Sequence, residues 1–104
     1  VNEIGDIKVD TGPSAVVVYL SGDITIALRE AASAALAQVL QLGRPLLIDA
    51  RAVTSIDAAG LAFLLQVVTS CEQVNLPVCI LDPAAALREL LAVLGLDRVV
   101  GRTS

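Results

Sequence analysis

The spacing of apolar positions changes along the chain, and each change predicts an element. Residues 15–20, Ala-Val-Val-Val-Tyr-Leu, form a near-continuous apolar run of the kind found in strands covered on both faces. Ser21-Gly22-Asp23 is expected to break that strand. From about 25 to 42 the period becomes helical: Leu28, Ala32, Ala35, Leu36 and Val39 share one stripe, with Arg29, Ser33 and Gln38 outside it, and Gly43 supplies a stop. Leu46-Leu47-Ile48 predicts a further strand ending at Asp49. A second helix is expected from Ala58 to Gln73 with Asp57 capping its first turn. Pro77 precedes a strand over Val78–Leu81. Asp82-Pro83 then predicts the N-cap and first position of a third helix, which carries Leu87, Leu90, Leu91 and Leu94 and ends at Gly95. Residues 4–9 read as a weak first strand before the turn cluster Thr11-Gly12-Pro13-Ser14, and Val99-Val100 as a short last one.

Apolar strands joined by helical crossovers require parallel pairing, because a parallel pair cannot be closed by a tight turn. The expected fold is α/β: one domain over residues 1–104, a mixed four- to five-stranded sheet with a βαβαβ core and three main helices. Composition agrees, since a 104-residue chain that is 56% hydrophobic and 17% charged can bury a core. A net charge of −4 argues against a basic nucleic-acid footprint, and one tyrosine and one phenylalanine leave no platform for stacking bases. The chain has no histidine, which removes imidazole acid–base chemistry and imidazole metal ligands. Its two cysteines, Cys71 and Cys79, are too few for an all-cysteine zinc site and read as inert core residues, a redox role being the alternative. No cofactor, metal or catalytic residue is expected. The longest uncharged run is too short to span a membrane, and no basic start precedes an apolar segment, so the expected location is cytoplasmic.

In open α/β sheets the working surface lies beyond the C-terminal strand ends. That edge should hold Asp23 and the segment from Asp49 to Gly60, with Asp57 satisfying free N–H groups at the start of the second helix. Here the sequence resembles the STAS domain family, which includes the bacterial anti-sigma factor antagonists. Asp57-Ala58-Ala59-Gly60-Leu61 is similar to the family's Asp-Ser-Ser/Thr-Gly-Leu motif, and Gly22-Asp23-Ile24-Thr25 to its Gly-Glu-Leu-Asp motif. Leu94-Gly95-Leu96 also fits, and the likeness spans nearly the whole chain. It implies an anti-sigma factor antagonist that regulates sigma-factor-dependent transcription by binding an anti-sigma factor of the kinase type. In phosphorylated members the serine after the motif aspartate accepts phosphate; Ala58 stands there in this chain, and neither it nor Ala59 has an oxygen to modify. The expected partner surface comprises Asp23, Ile56, Asp57, Ala58, Ala59, Gly60 and Phe63.

Phe63 enters from helical geometry. Leu61, Leu64, Leu65 and Val68 form a stripe expected to face the sheet, and Phe63 falls nearly opposite it, with Ala59, Gln66 and Ser70. It then serves either as an aromatic anchor for a partner or as a contact with a neighbouring helix. Two other functions share this edge. A STAS subunit of a transporter or signalling scaffold would bind a different protein with the same fold. A phosphoacceptor receiver would gather Asp23, Asp49 and Asp57 around a divalent metal, but it also needs a lysine late in the sheet, and the chain's lysine is Lys8. Weak self-association is compatible with either binding role.

Overall fold

The computed structural model describes residues 5–101, and in it five strands form one sheet in chain order. Strand β1 (Asp6–Thr11) turns back at Gly12, whose N–H donates to the Ala15 carbonyl, and lies antiparallel to β2 (Val16–Ile24). Strands β3 (Leu46–Ile56), β4 (Val78–Leu81) and β5 (Val100–Gly101) follow, each parallel to the one before. The crossovers are the helices α1 (Arg29–Leu42), α2 (Ala58–Gln73) and α3 (Ala85–Val93), with a 3-10 turn at Ile26–Leu28 leading into α1. The mixed sheet, the parallel core and the three helices are as the sequence predicts, and α2 and β4 have the expected bounds.

Because strand order follows chain order, right-handed crossovers place every helix on the same side of the sheet. Packing agrees with this. Val16, Val18 and Leu20 of β2, Leu46 and Ile48 of β3, and Ile80 of β4 share one core with Val39, Leu64, Val68 and Leu91 of the helices. The ladder partners Val17, Leu47 and Cys79, and after them Tyr19, Asp49 and Leu81, project from the opposite face, which no helix covers among the described residues. The expectation of a strand covered on both sides is therefore corrected. The apolar run is continuous because the open face also carries valine, leucine and Tyr19, the last 42% exposed.

Both long strands outrun their predicted ends. β2 continues through Ser21-Gly22-Asp23 to Ile24, with Gly22 at φ 71° absorbing a local irregularity. β3 passes Asp49 and runs on to Ile56, because the register with β2 slips twice and keeps the two strands paired to Asp23–Ser55 and Ile24–Ile56. Asp49 is therefore a mid-strand residue and not an edge residue. Its Oδ1 accepts the Arg51 backbone N–H at 3.1 Å and Nε–H at 3.0 Å, and its Oδ2 accepts from Nη2 at 2.8 Å, which folds the Arg51 side chain back over the first bulge. The third helix also starts later than Asp82-Pro83 suggests. Asp82 adopts φ 46° and gives its N–H to the Gly101 carbonyl, pinning β4 to β5, so the helix begins at Ala85 with Ala84 as a cap that makes no side-chain bond. The weak first strand lies two residues further on, and the part predicted at Ile4 falls outside the described residues.

Hydrogen bonding from Arg51, partly opposed by burial, holds the Asp49 carboxyl below its ordinary value. A depressed folded-state pKa stabilises the protein fully above the unfolded value, near pH 4, and the contribution is lost as pH falls through the folded value. Between pH 7 and pH 3 the urea midpoint of the wild type should therefore drop further than that of Asp49→Asn. Parallel declines in the two proteins would show that the pair contributes nothing to stability.

Candidate functional site

The edge at which β2 and β3 end is built around Asp57. Its backbone is extended, at φ −98° and ψ −177°, which aims the carboxylate at the first turn of α2. Oδ1 accepts the Gly60 N–H at 2.8 Å, the capping bond expected from the sequence. Oδ2 reaches across to accept the Ile26 N–H at 3.2 Å, and the Asp57 N–H donates to the Ile24 carbonyl at 3.1 Å. One residue thus ties the start of α2 to the end of β2 and to the turn before α1. Thr25 completes that turn by accepting the Ala27 N–H on Oγ1 at 3.2 Å.

Gly60 is required by how close these segments lie. A Cβ there would stand 2.7 Å from the Ile24 carbonyl oxygen and 2.6 Å from Ile56 Cγ1, and the former is backbone that cannot swing aside. The two positions between Asp57 and Gly60 have no such duty. Ala58 is exposed and Ala59 is half-buried. On the same edge the Ser55 hydroxyl donates to Asp23 Oδ1 at 2.6 Å, bonding the side chains of the rung before the last between β2 and β3. Ser55 escapes notice in the sequence because its bond depends on a double slip in strand register.

Asp23, Ile56, Asp57, Ala58, Ala59 and Gly60 therefore share one edge, while Phe63 lies a turn further along α2. The buried positions of α2 are Gly60, Leu64, Val67, Val68 and Cys71, with Leu61 and Leu65 on one flank and Phe63 on the other. At 100° per residue Phe63 stands roughly 90° from the centre of that arc, not opposite it. It is half-buried and packs toward Ala35, Leu36 and Val39 of α1, so the helix-contact reading of this side chain describes its surroundings. Phe63 also walls an open groove of about 610 Å³ between α1 and α2.

Asp49 takes no part in this edge, and no group of three potential metal ligands occurs among the described residues. Cys71 is buried on α2, where burial pushes its thiol pKa up, and Cys79 lies on the open face with the position of a Gly101 Cβ 2.5 Å from its Sγ. The sheet separates the two thiols. Among the described residues no helix is long and apolar enough to cross a membrane.

The family model described as "Mlab, STAS domain" matches residues 7–101. The chain belongs to the STAS domain family. Solved STAS structures share its fold at low identity. SpoIIAA, the Bacillus cell fate determinant, in its phosphorylated form superimposes with a TM-score of 0.80 at 17% identity, covering 95% of this chain and 92% of that one. Unphosphorylated SpoIIAA, an anti-sigma factor antagonist, gives 0.75 at 16% identity, covering 95% and 89%. An anti-sigma factor antagonist from Mycobacterium paratuberculosis gives 0.76 at 23% identity, covering 95% and 85%. No curated protein matches the sequence significantly.

Within this STAS domain the Asp57 and Gly60 contacts are structural, and substitution should show it. Asp57→Ala removes a cap and should cost about 1–2 kcal/mol in urea unfolding. Gly60→Ala forces a methyl group against a carbonyl and should cost about 1–3 kcal/mol. Ala58→Ser, which meets neither constraint, should unfold within ~0.5 kcal/mol of wild type. A Gly60→Ala protein as stable as wild type would mean that the β2–α2 approach is not fixed.

Proposed function

We propose that this STAS domain is an anti-sigma factor antagonist that works by binding, without catalysis, and that its partner is an anti-sigma factor of the kinase type. The observation that carries the reading is the Asp57–Gly60 turn. Its backbone is held by the two outer residues, and of the inner pair Ala58 is exposed and Ala59 half-buried on an edge shared with Asp23. The fold of named antagonists supports it. Partner contact is assigned to Asp23, Ile56, Asp57, Ala58, Ala59, Gly60 and Phe63.

Ala58 occupies the family's acceptor position and offers a methyl group in place of a hydroxyl. A phosphate adds roughly two negative charges, and the charge change is what such a switch reads. With alanine there the surface is constitutively in its uncharged form, and control of the partner lies in abundance or in another site. The location that follows is the cytoplasm, where sigma factors act.

The test is a pull-down from lysate of the source organism with wild type and Ala58→Arg as paired baits. A sigma-factor-binding kinase retained by the first and lost by the second is the expected outcome. Recovery of transporter subunits instead would assign the edge to a transport complex. Given ATP and the recovered kinase, the wild type should take up no phosphate at residue 58, whereas Ala58→Ser should be labelled there. Label at the start of α2 in the wild type would overturn the account.

A further inference from the structure

The groove between α1 and α2 has a shape that points to its occupant. On α1 it is lined by Arg29, Ala32, Ser33, Leu36, Ala37 and Leu40, which recur at the three- and four-residue spacing of one helix face. On α2 the lining positions Ala59, Ala62, Phe63 and Gln66 repeat the same spacing. The α1 wall runs for roughly 17 Å, about three helical turns at 1.5 Å per residue. Alanines along both walls let a third backbone come close, and packing of ridges into grooves favours a helix in such a channel. Ile26, 62% exposed, and Leu40 stand apolar at the two ends.

Charge is absent where a solvated surface would carry it. Residues 31–42 of α1 and 58–71 of α2 include no charged side chain, although Ala31, Ala34, Ala37, Gln38, Ala62 and Gln66 are exposed. Surface helices ordinarily place charged residues on the outward side, and depletion of charge marks the centres of protein interfaces. Arg29 is the cation that lines the groove, at one end, and it makes no ion pair among the described residues.

From these features we infer that the groove docks an amphipathic helix of a partner protein, about three turns long, with an apolar stripe toward the alanines and an acidic residue against Arg29. The inference rests on reading this side of the molecule as a protein-docking surface, since Ala59, Gly60 and Phe63 belong to both. It gives that surface a second contact, continuous with the Ala58 edge, and states what the partner must present.

The test uses a fluorescent 14-residue peptide with leucine at i, i+3, i+7 and i+11, lysine and glutamine elsewhere, and glutamate at one end. Fluorescence anisotropy should show saturable binding to the wild type. Ala37→Arg and Ala62→Arg change exposed helix positions and should weaken it at least tenfold with unchanged circular dichroism and melting. Replacing the peptide's glutamate by lysine should weaken binding at least threefold, and Arg29→Gln should abolish that difference. The idea is overturned by the absence of saturable binding or by equal binding to Ala37→Arg. Saturable oleate binding without peptide binding would make the groove a lipid site. Self-association of the wild type that Ala37→Arg removes would assign it to a second copy of the chain. The titration contains no anti-sigma factor, so its failure leaves the Ala58 edge intact. Conversely, recovery of the wrong partner by the paired baits leaves a positive titration standing.

Discussion

The Asp57 carboxylate holds together three segments that the chain delivers from different directions. One oxygen caps α2 through the Gly60 N–H and the other accepts the Ile26 N–H, while the Asp57 N–H reaches the Ile24 carbonyl. Each bond is modest: at this partly exposed edge the two carboxylate bonds together contribute about 1–2 kcal/mol, as a helix cap does, and the backbone bond on the order of 1 kcal/mol. Their value lies in geometry. With the end of β2 and the start of α2 drawn to this distance, Gly60 is the residue that fits, and α1 begins where its face can meet α2 across the groove. The edge and the groove therefore share one anchor.

The open face of the sheet presents the complementary problem. Parallel sheets are usually covered on both sides, yet Val17, Tyr19, Leu47 and Leu81 face outward here. Two devices keep this face orderly. Asp6, Lys8 and Asp10 of β1 pair with Ser21, Tyr19 and Val17 and give the antiparallel flank a charged row. The Asp49–Arg51 pair lies over the bulge where β3 gains a residue on β2, so the slip in register has a side chain bonded across it. Without that slip Ser55 would lose its place beside Asp23.

Much of the architecture can be read from residues alone, for identifiable reasons. α2 is announced by a capping aspartate and bounded by loss of its apolar period, and β4 by proline before it and a turn after it. The parallel core follows from apolar strands separated by helices. Errors collect where tertiary pairing overrides local chemistry. Ser21-Gly22-Asp23 has the composition of a turn, but pairing with a bulged β3 keeps it extended. Asp82-Pro83 has the composition of a helix start, but the Asp82 N–H is used by Gly101, and the chain must twist through φ 46° first. The leucine stripe puts Phe63 nearly opposite the sheet, but Val67 and Cys71, not Leu61 and Leu65, define the sheet-facing arc with Leu64 and Val68. The Asp57 anchor was only half legible, since its bond to Ile26 spans 31 residues.

These constraints explain why a four-residue motif divides its labour. Asp57 and Gly60 are fixed by contacts within the fold, so they answer to stability. Ala58 and Ala59 sit between them on a backbone that is already held, and a change there alters the surface without altering the scaffold. Serine or alanine at residue 58 would therefore leave the domain's architecture the same while changing what the edge offers to chemistry. The same separation holds along the groove, where Ala32 is buried but Ala37 and Ala62 are exposed. A fold built this way can change the side chain at residue 58 and keep the groove between α1 and α2, because different atoms maintain each.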